Sequence, residues 1–226
     1  MNEPFRPVRA VRYACAVLTD FRIDRLPVDP FRLAADAGIA VEPLSGLRNH
    51  PAWAPYDLPS RMGLTRVITI PYPTFCIVYR DEGSSPEQLT LPLARELGHL
   101  FMNHYREIPD LSVPGRLFHP EMEREADIFA RNLLCPVPVV DVIRYNRPQQ
   151  ARASLFRLNR SAWIHRLNTL NEDRASIDEE TANILLYLFR DYLIARRCRA
   201  CGAEFRDEAQ NNACPFCGAG DPEWVL

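Results

Sequence analysis

The sequence contains no lysine: all 27 basic side chains among its 226 residues are arginine. A guanidinium keeps its proton and grips carboxylates through a planar fork, so every such charge is permanent and directional. The bias itself fits codon usage in a GC-rich genome. An excess of one charge sign is also lacking. A formal net charge of -2 gives no global field for nucleic acid, so any such role has to come from a local patch. No run of 18 apolar residues occurs, which excludes a spanning helix. The opening "MNEPFRPVRAVRYACAVL" interrupts its apolar stretches with Arg, Pro and Glu and lacks a secretory core. A cytoplasmic protein without membrane association is expected. Internal repeats and low-complexity tracts are absent as well.

What is present is enough for one core and a small appended module, with 47% of residues hydrophobic. A first helix is expected over residues 8–20. A short second one starts at Pro30, carries Phe31, Leu33 and Ala34, and stops at Gly38. "HPAWAPYDLPSR" is too proline-rich for regular structure. "TRVITI" and "TFCIVYR" read as two strands paired through "PYP". Ser85 caps a central helix with Pro86 at its first position, and Pro92 is expected to bend or restart it. A polar loop from Arg106 to His119 precedes a helix from Pro120 to Pro136, with Met122, Ala126, Phe129, Leu133 and Leu134 at helical spacing. "ARASLFRLNRSAWIHRLNTL" reads as two short helices joined at Asn159, Ser161 capping the second. A last helix opens on a Ser176/Glu179 capping box and places Ile184, Leu185, Leu188 and Tyr192 on one face.

The seven cysteines divide unevenly. Cys15, Cys76 and Cys135 are scattered, whereas "CRACG" and "CPFCG" pair Cys198 with Cys201 and Cys214 with Cys217. Each C-x-x-C-G forms a knuckle whose thiolates converge while the glycine permits the tight turn. Two knuckles complete a four-thiolate zinc site, and in so short a segment the metal supplies the folding free energy. Arg196, Arg197, Arg199 and Arg206 lie near this ribbon, but Glu204, Asp207, Glu208, Asp221 and Glu223 offset them. A protein-contact or structural role is therefore favoured over nucleic-acid reading.

"LARELGHLFMNH", residues 93–104, is patterned like the helix of a zinc peptidase, where His-Glu-x-x-His supplies two ligands and a general base. Positions 95 and 99 share one helical face, as two ligands of one metal must. Glu96 beside them is placed to take a proton from a metal-bound water. Glu123 on the next helix is the best third ligand, with Asp127 one turn on as a supporting carboxylate. The first histidine position, however, holds Arg95.

"SPEQLTLPLARELGHLFMNH" followed by "EMEREADIFARNLLCP" resembles the ImmA/IrrE family of zinc metallopeptidases. "PVDP", "AGI" and the helix-turn-helix-like "LFRLNRSAWIHRLNTL" resemble it too, so the likeness spans about residues 10–170. It implies an α+β, zincin-like metallopeptidase fold over residues 1–175; the connecting helix (176–197) and the zinc ribbon (198–226) read from their own residues follow it. It implies His99 and Glu123 as metal ligands and Glu96 as general base, with Arg95 on the first ligand position. Family members cleave cytoplasmic helix-turn-helix repressors, which implies a protein substrate or partner of that class.

A guanidinium has no lone pair for zinc, so metal binding in the peptidase-like site is expected to be weak. Arg95 is expected instead to salt-bridge Glu123 or Asp127, standing where zinc stands in relatives. His104 is about 140° round the helix from His99 and faces elsewhere unless the helix has ended, while His119 sits where it can swing inward. Arg157, Arg160, His165 and Arg166 are phosphate-contact candidates, but packing through Trp163, Ile164, Leu167 and Leu170 is favoured. Three functions stay open: a degenerate peptidase that binds a regulatory protein partner, an active zinc endopeptidase with a substitute ligand, and a ribbon-based binding module on an inert scaffold.

Overall fold

A computed structural model of the chain describes residues 7–47, 65–69, 75–107, 119–146, 153–206, 213–220 and 222–224. The chain is α+β and rich in helix. Helix α1 (Pro7–Asp20) and α2 (Pro30–Asp36) lead into strand β1 (Ala40–Pro43) and a helical turn α3 (Leu44–Leu47). Strands β2 (Thr65–Thr69) and β3 (Phe75–Tyr79) are followed by the central helix α4 (Pro86–Phe101), a turn α5 (His104–Glu107), α6 (Pro120–Leu134) and α7 (Val137–Asn146). A 3-10 turn (Ala153–Phe156) precedes α8 (Arg160–Arg174), α9 (Glu179–Leu188) and α10 (Arg190–Ile194), and strands β4 (Ala195–Arg197), β5 (Glu204–Arg206) and β6 (Glu223–Trp224) end the described chain.

The first sheet has the order β1-β3-β2. β2 and β3 form the expected antiparallel pair, Thr65 opposite Tyr79 and Thr69 opposite Phe75. β1, which the sequence reading passed over, adds parallel to the other edge of β3, with Val41 opposite Ile77. Ile77 and Val78 are fully buried in the middle strand. The "PYP" connection, the proline-rich 50–61 segment and His50 lie outside the described residues. The loop expected from Arg106 starts later, because residues 104–107 form the turn α5; 108–118 are likewise outside the described set.

Helices α1, α4 and α6 carry the core through Val11, Leu18, Leu93, Leu97, Phe129 and Leu133. Each such side chain contributes about 1.5–3 kcal/mol on burial. The two helices meet at Gly98, where a methyl group would sit 2.9 Å from Phe129 Cδ1, so a larger residue there would force the Phe129 ring or the helices to shift. Helix α4 begins as expected, with a reciprocal Ser85–Gln88 capping box, and runs through Pro92 without restarting.

Other helix starts differ from expectation. Asn159, not Ser161, caps α8, accepting from the Ala162 N–H at 2.9 Å. Asp178, not Ser176, caps α9, accepting from the Thr181 N–H at 2.8 Å. The long last helix is split at Phe189, whose ring is fully buried. Leu185 and Tyr192 remain buried, but Ile184, about 100° round the helix from Leu185, is exposed. No described helix is long and apolar enough to cross a membrane.

Candidate functional site

Residues 95–99 of α4 face residues 123–127 of α6, and Arg95 ties the two helices together. Its Nη2 donates to Glu123 Oε2 at 2.7 Å. Its Nε lies 2.6 Å from Asp127 Oδ1, an ion pair too skewed in angle to be a hydrogen bond. The expected salt bridge is thus made to both carboxylates. His99, almost fully buried, directs Nε2 towards Glu123 Oε1 at 3.6 Å. Glu96 Oε1 accepts from the Thr65 hydroxyl at 3.2 Å. Burial pushes the Glu96 carboxyl up from its ordinary range, His99 and Arg95 pulling it down and Glu123 adding to the rise. A carboxyl raised by burial is better matched to proton transfer than an ordinary one. Burial likewise pushes Asp127 up, against the pull of Arg95.

His104 does not face away. Helix α4 ends with Met102 as its cap, and Asn103 adopts a left-handed φ of 64°. Asn tolerates that conformation better than most residues, and the turn folds His104 back beneath His99. The two Nδ1 atoms are 2.9 Å apart. His104 Nε2 meets Glu125 Oε2 at 3.3 Å, and Arg9 Nη1 lies 3.7 Å from the same oxygen. Arg9 also donates to the Met102 carbonyl. Burial holds the His104 ring below its ordinary pKa, with Glu125 opposing. A buried chain of polar groups therefore runs from α1 to the site. The sequence signal that announced it was Asn103, a residue type that often stops helices in the left-handed turn.

His119 stands at the N-cap of α6, its Nδ1 buried with no hydrogen-bond partner among the described residues. It is not gathered with His99 and Glu123. Among the described residues, the one group of three or more His, Cys, Asp or Glu close enough to share an ion is Cys198, Cys201, Cys214 and Cys217.

That group sits on two matching knuckles. In the first, Cys198 N–H donates to Ala203 O (2.8 Å), Gly202 N–H to Cys198 O (2.9 Å) and Cys201 N–H to Cys198 Sγ (3.4 Å). In the second, Cys214 N–H donates to Ala219 O (2.8 Å), Gly218 N–H to Cys214 O (2.9 Å) and Phe216 N–H to Cys214 Sγ (3.4 Å). Gly202 and Gly218 take φ of 74° and 72°, the left-handed conformation the turns require. Sulfurs from opposite knuckles approach to 3.5 Å (Cys198–Cys217) and 3.7 Å (Cys201–Cys214). A tetrahedral four-thiolate zinc, with Zn–S near 2.3 Å, places sulfurs about 3.8 Å apart, so the donor set fits a metal ion of that kind. The strands β5-β4-β6 frame the knuckles.

The basic residues beside the ribbon are engaged. Arg197 pairs with Glu204, Arg199 with Glu223 at 3.3 Å and Arg206 with Asp191 at 3.4 Å, while Arg196 is buried. Asp207, Glu208 and Asp221 lie outside the described residues. In the helix-turn-helix-like segment Arg166, offered as a phosphate contact, is instead 1% exposed. Its Nη2 donates to the Cys135 carbonyl at 2.6 Å and to Asn132 Oδ1 at 3.1 Å, and its Nη1 to Asp173. Arg131 and Asn132 also donate to Asp173, each at 2.8 Å. Arg157 pairs with Asp29 at 3.5 Å. Trp163 stacks on Phe156 with centroids 5.1 Å apart, and Leu170 is buried, but Ile164 is exposed. The element is tied to α6 by a polar network in which Arg166 and Asp173 meet Asn132 and Arg131.

No family model, curated protein or solved structure matches this chain. The arrangement of residues within it has to carry the functional reading.

Proposed function

We propose that this chain is a degenerate metallopeptidase of the ImmA/IrrE type, with a zincin-like fold, whose hydrolytic site is closed by Arg95 and which acts in the cytoplasm by binding a protein partner. The observation that carries the reading is the double engagement of Arg95 with Glu123 and Asp127. A guanidinium occupies the position of the first ligand and neutralises the carboxylates that a zinc ion would need. The retained Glu96, His99 and Glu123 support descent from an active site. Resemblance of the paired helices to that family supports a helix-turn-helix repressor as the partner class. The four-cysteine cluster holds a structural zinc in this reading, and the pairing of its neighbouring arginines favours protein over nucleic-acid contact.

The test is zinc per chain, measured by elemental mass spectrometry on wild-type protein and on Arg95→His. One zinc in the wild type and two in the variant are expected. Two in the wild type would replace this reading with an active zinc endopeptidase that uses a substitute ligand. The unpartnered His119 Nδ1 is the observation favouring that alternative, and His119→Gln would then remove the second ion.

A further inference from the structure

We propose that His104 and Glu125 are positioning residues for His99, fixing its ring so that Nδ1 carries the proton and Nε2 presents a lone pair towards Glu123. The inference rests on the reading of His99 as a surviving metal ligand.

The direction of the hydrogen-bond chain follows from its ends. A carboxylate only accepts, so His104 donates through Nε2–H to Glu125. His104 has no solvent exposure, where a charged ring is costly, and Glu125 also faces the Arg9 guanidinium at 3.7 Å, which favours a neutral His104. A neutral His104 protonated at Nε2 has a bare Nδ1, which accepts. Among the described residues, the ring nitrogen that faces it is His99 Nδ1, 2.9 Å away, which donates. His99 is left with its proton on Nδ1 and its lone pair on Nε2, 3.6 Å from Glu123 Oε1. One zinc shared by an imidazole nitrogen and a carboxylate oxygen sets those atoms about 3.4 Å apart, so the two lie within a few tenths of an ångström of ligand spacing.

Ligand histidines are generally held through their second nitrogen by a carboxylate, carbonyl or water, and loss of that support costs metal affinity. Here the support is a second histidine and, behind it, a glutamate anchored to the N-terminal helix. Two imidazoles and a carboxylate are an expensive way to fill space under a helix end, where apolar side chains pack without desolvation cost.

Long-range proton–nitrogen correlation spectra of the imidazole rings in the full-length wild-type protein test the proposal, with signals assigned from His99→Gln and His104→Gln. The expected result is His104 as the Nε2–H tautomer and His99 as the Nδ1–H tautomer with a bare Nε2. His99 protonated on Nε2, or His104 as an imidazolium, would overturn it. Glu125→Gln retains an acceptor and should keep both tautomers, whereas Glu125→Met should lose them; identical spectra for the two variants would also overturn the assignment. In the Arg95→His background, Glu125→Met should weaken the second zinc by about 10–100-fold, and unchanged affinity would refute positioning. If Arg95→His binds no second zinc at all, the metallopeptidase reading fails, and the tautomers still decide the hydrogen-bond chain independently.

Discussion

Arg95 and Glu123, on consecutive long helices, are joined by a hydrogen bond of 2.7 Å, and the same guanidinium contacts Asp127. Both helices are thereby held together where Glu123 and Asp127 face Arg95. With a methionine at position 95, Glu123 and Asp127 keep their charge and lose their counterion. Arg95→Met should destabilise the protein by about 1–2 kcal/mol, between the values for exposed and buried ion pairs. The loss should be larger at pH 8 than at pH 5, because protonation relieves the carboxylate repulsion. Urea denaturation at the two pH values measures both.

Glu96 pulls in the opposite direction. Its folded carboxyl is raised by burial, so folding favours its protonated form. Stability then falls as pH climbs from the unfolded value of about 4.3 through the folded one. Glu96→Gln should remove that penalty, leaving the variant more stable than wild type at pH 8 and close to it at pH 4. Thermal denaturation across this range checks the sign; a variant less stable at pH 8 would mean that the charged carboxylate is well paired.

Asp173 is held below the usual carboxylate range: burial pushes it up, but hydrogen bonds from Arg131 and Asn132 and the charge of Arg166 outweigh that. Its contribution is complete above about pH 4 and is lost as pH falls through the lower, folded value. Asp173→Asn should cost about 3–5 kcal/mol at neutral pH, since Arg166 is left buried without its anion. The variant should also lose part of the acid-induced fall in stability seen in wild type, as followed by circular dichroism.

Thiol titration should sort the seven cysteines into two classes. Cys15, Cys76 and Cys135 are buried, and burial pushes their thiols up to about 12, 11 and 12, so they should be unreactive at pH 8 in the folded protein. The metal-loaded ribbon protects the other four. A chelator should expose four thiols and full denaturation seven, read with an aromatic disulfide reagent. Reaction of more than four after chelation would show that metal loss loosens the core as well as the ribbon.

Apolar periodicity made α6 legible, as the spacing of Ala126, Phe129 and Leu133 reports directly on a buried helical face; α4 was read from its peptidase-like pattern. Ser85 and Pro86 marked a helix start, and the C-x-x-C-G spacing brought four sulfurs together, because both are local geometries. Arg95 was legible in the same way, since positions 95, 123 and 127 fall on facing helical surfaces. His104 was read as facing elsewhere unless the helix had ended; the helix does end, at Met102, and the left-handed Asn103 redirects the chain in a way that periodicity cannot report. Ile184 was assigned inward with its neighbour Leu185, but the buried stripe runs through Leu185 and Phe189, one turn apart, and leaves Ile184 outside it. Arg166 showed the limit of composition: a permanent charge at a sequence position says nothing about whether Asp173 and a helix-ending carbonyl wait to receive it. Gly98 was passed over for a related reason, since its meaning lies in Phe129 on another helix.

The order of strands in the first sheet also constrains how the chain is assembled. β2 and β3 are neighbours in sequence and can pair as soon as both have been made, whereas β1 adds to the far edge of β3 across the whole segment that contains β2. Closing that longer loop costs more entropy and returns its contacts later. Residues 7–43, which carry the arginine that contacts Glu125, are therefore expected to dock onto a β2–β3 pair already formed, with the His104–Glu125 contact completed after it.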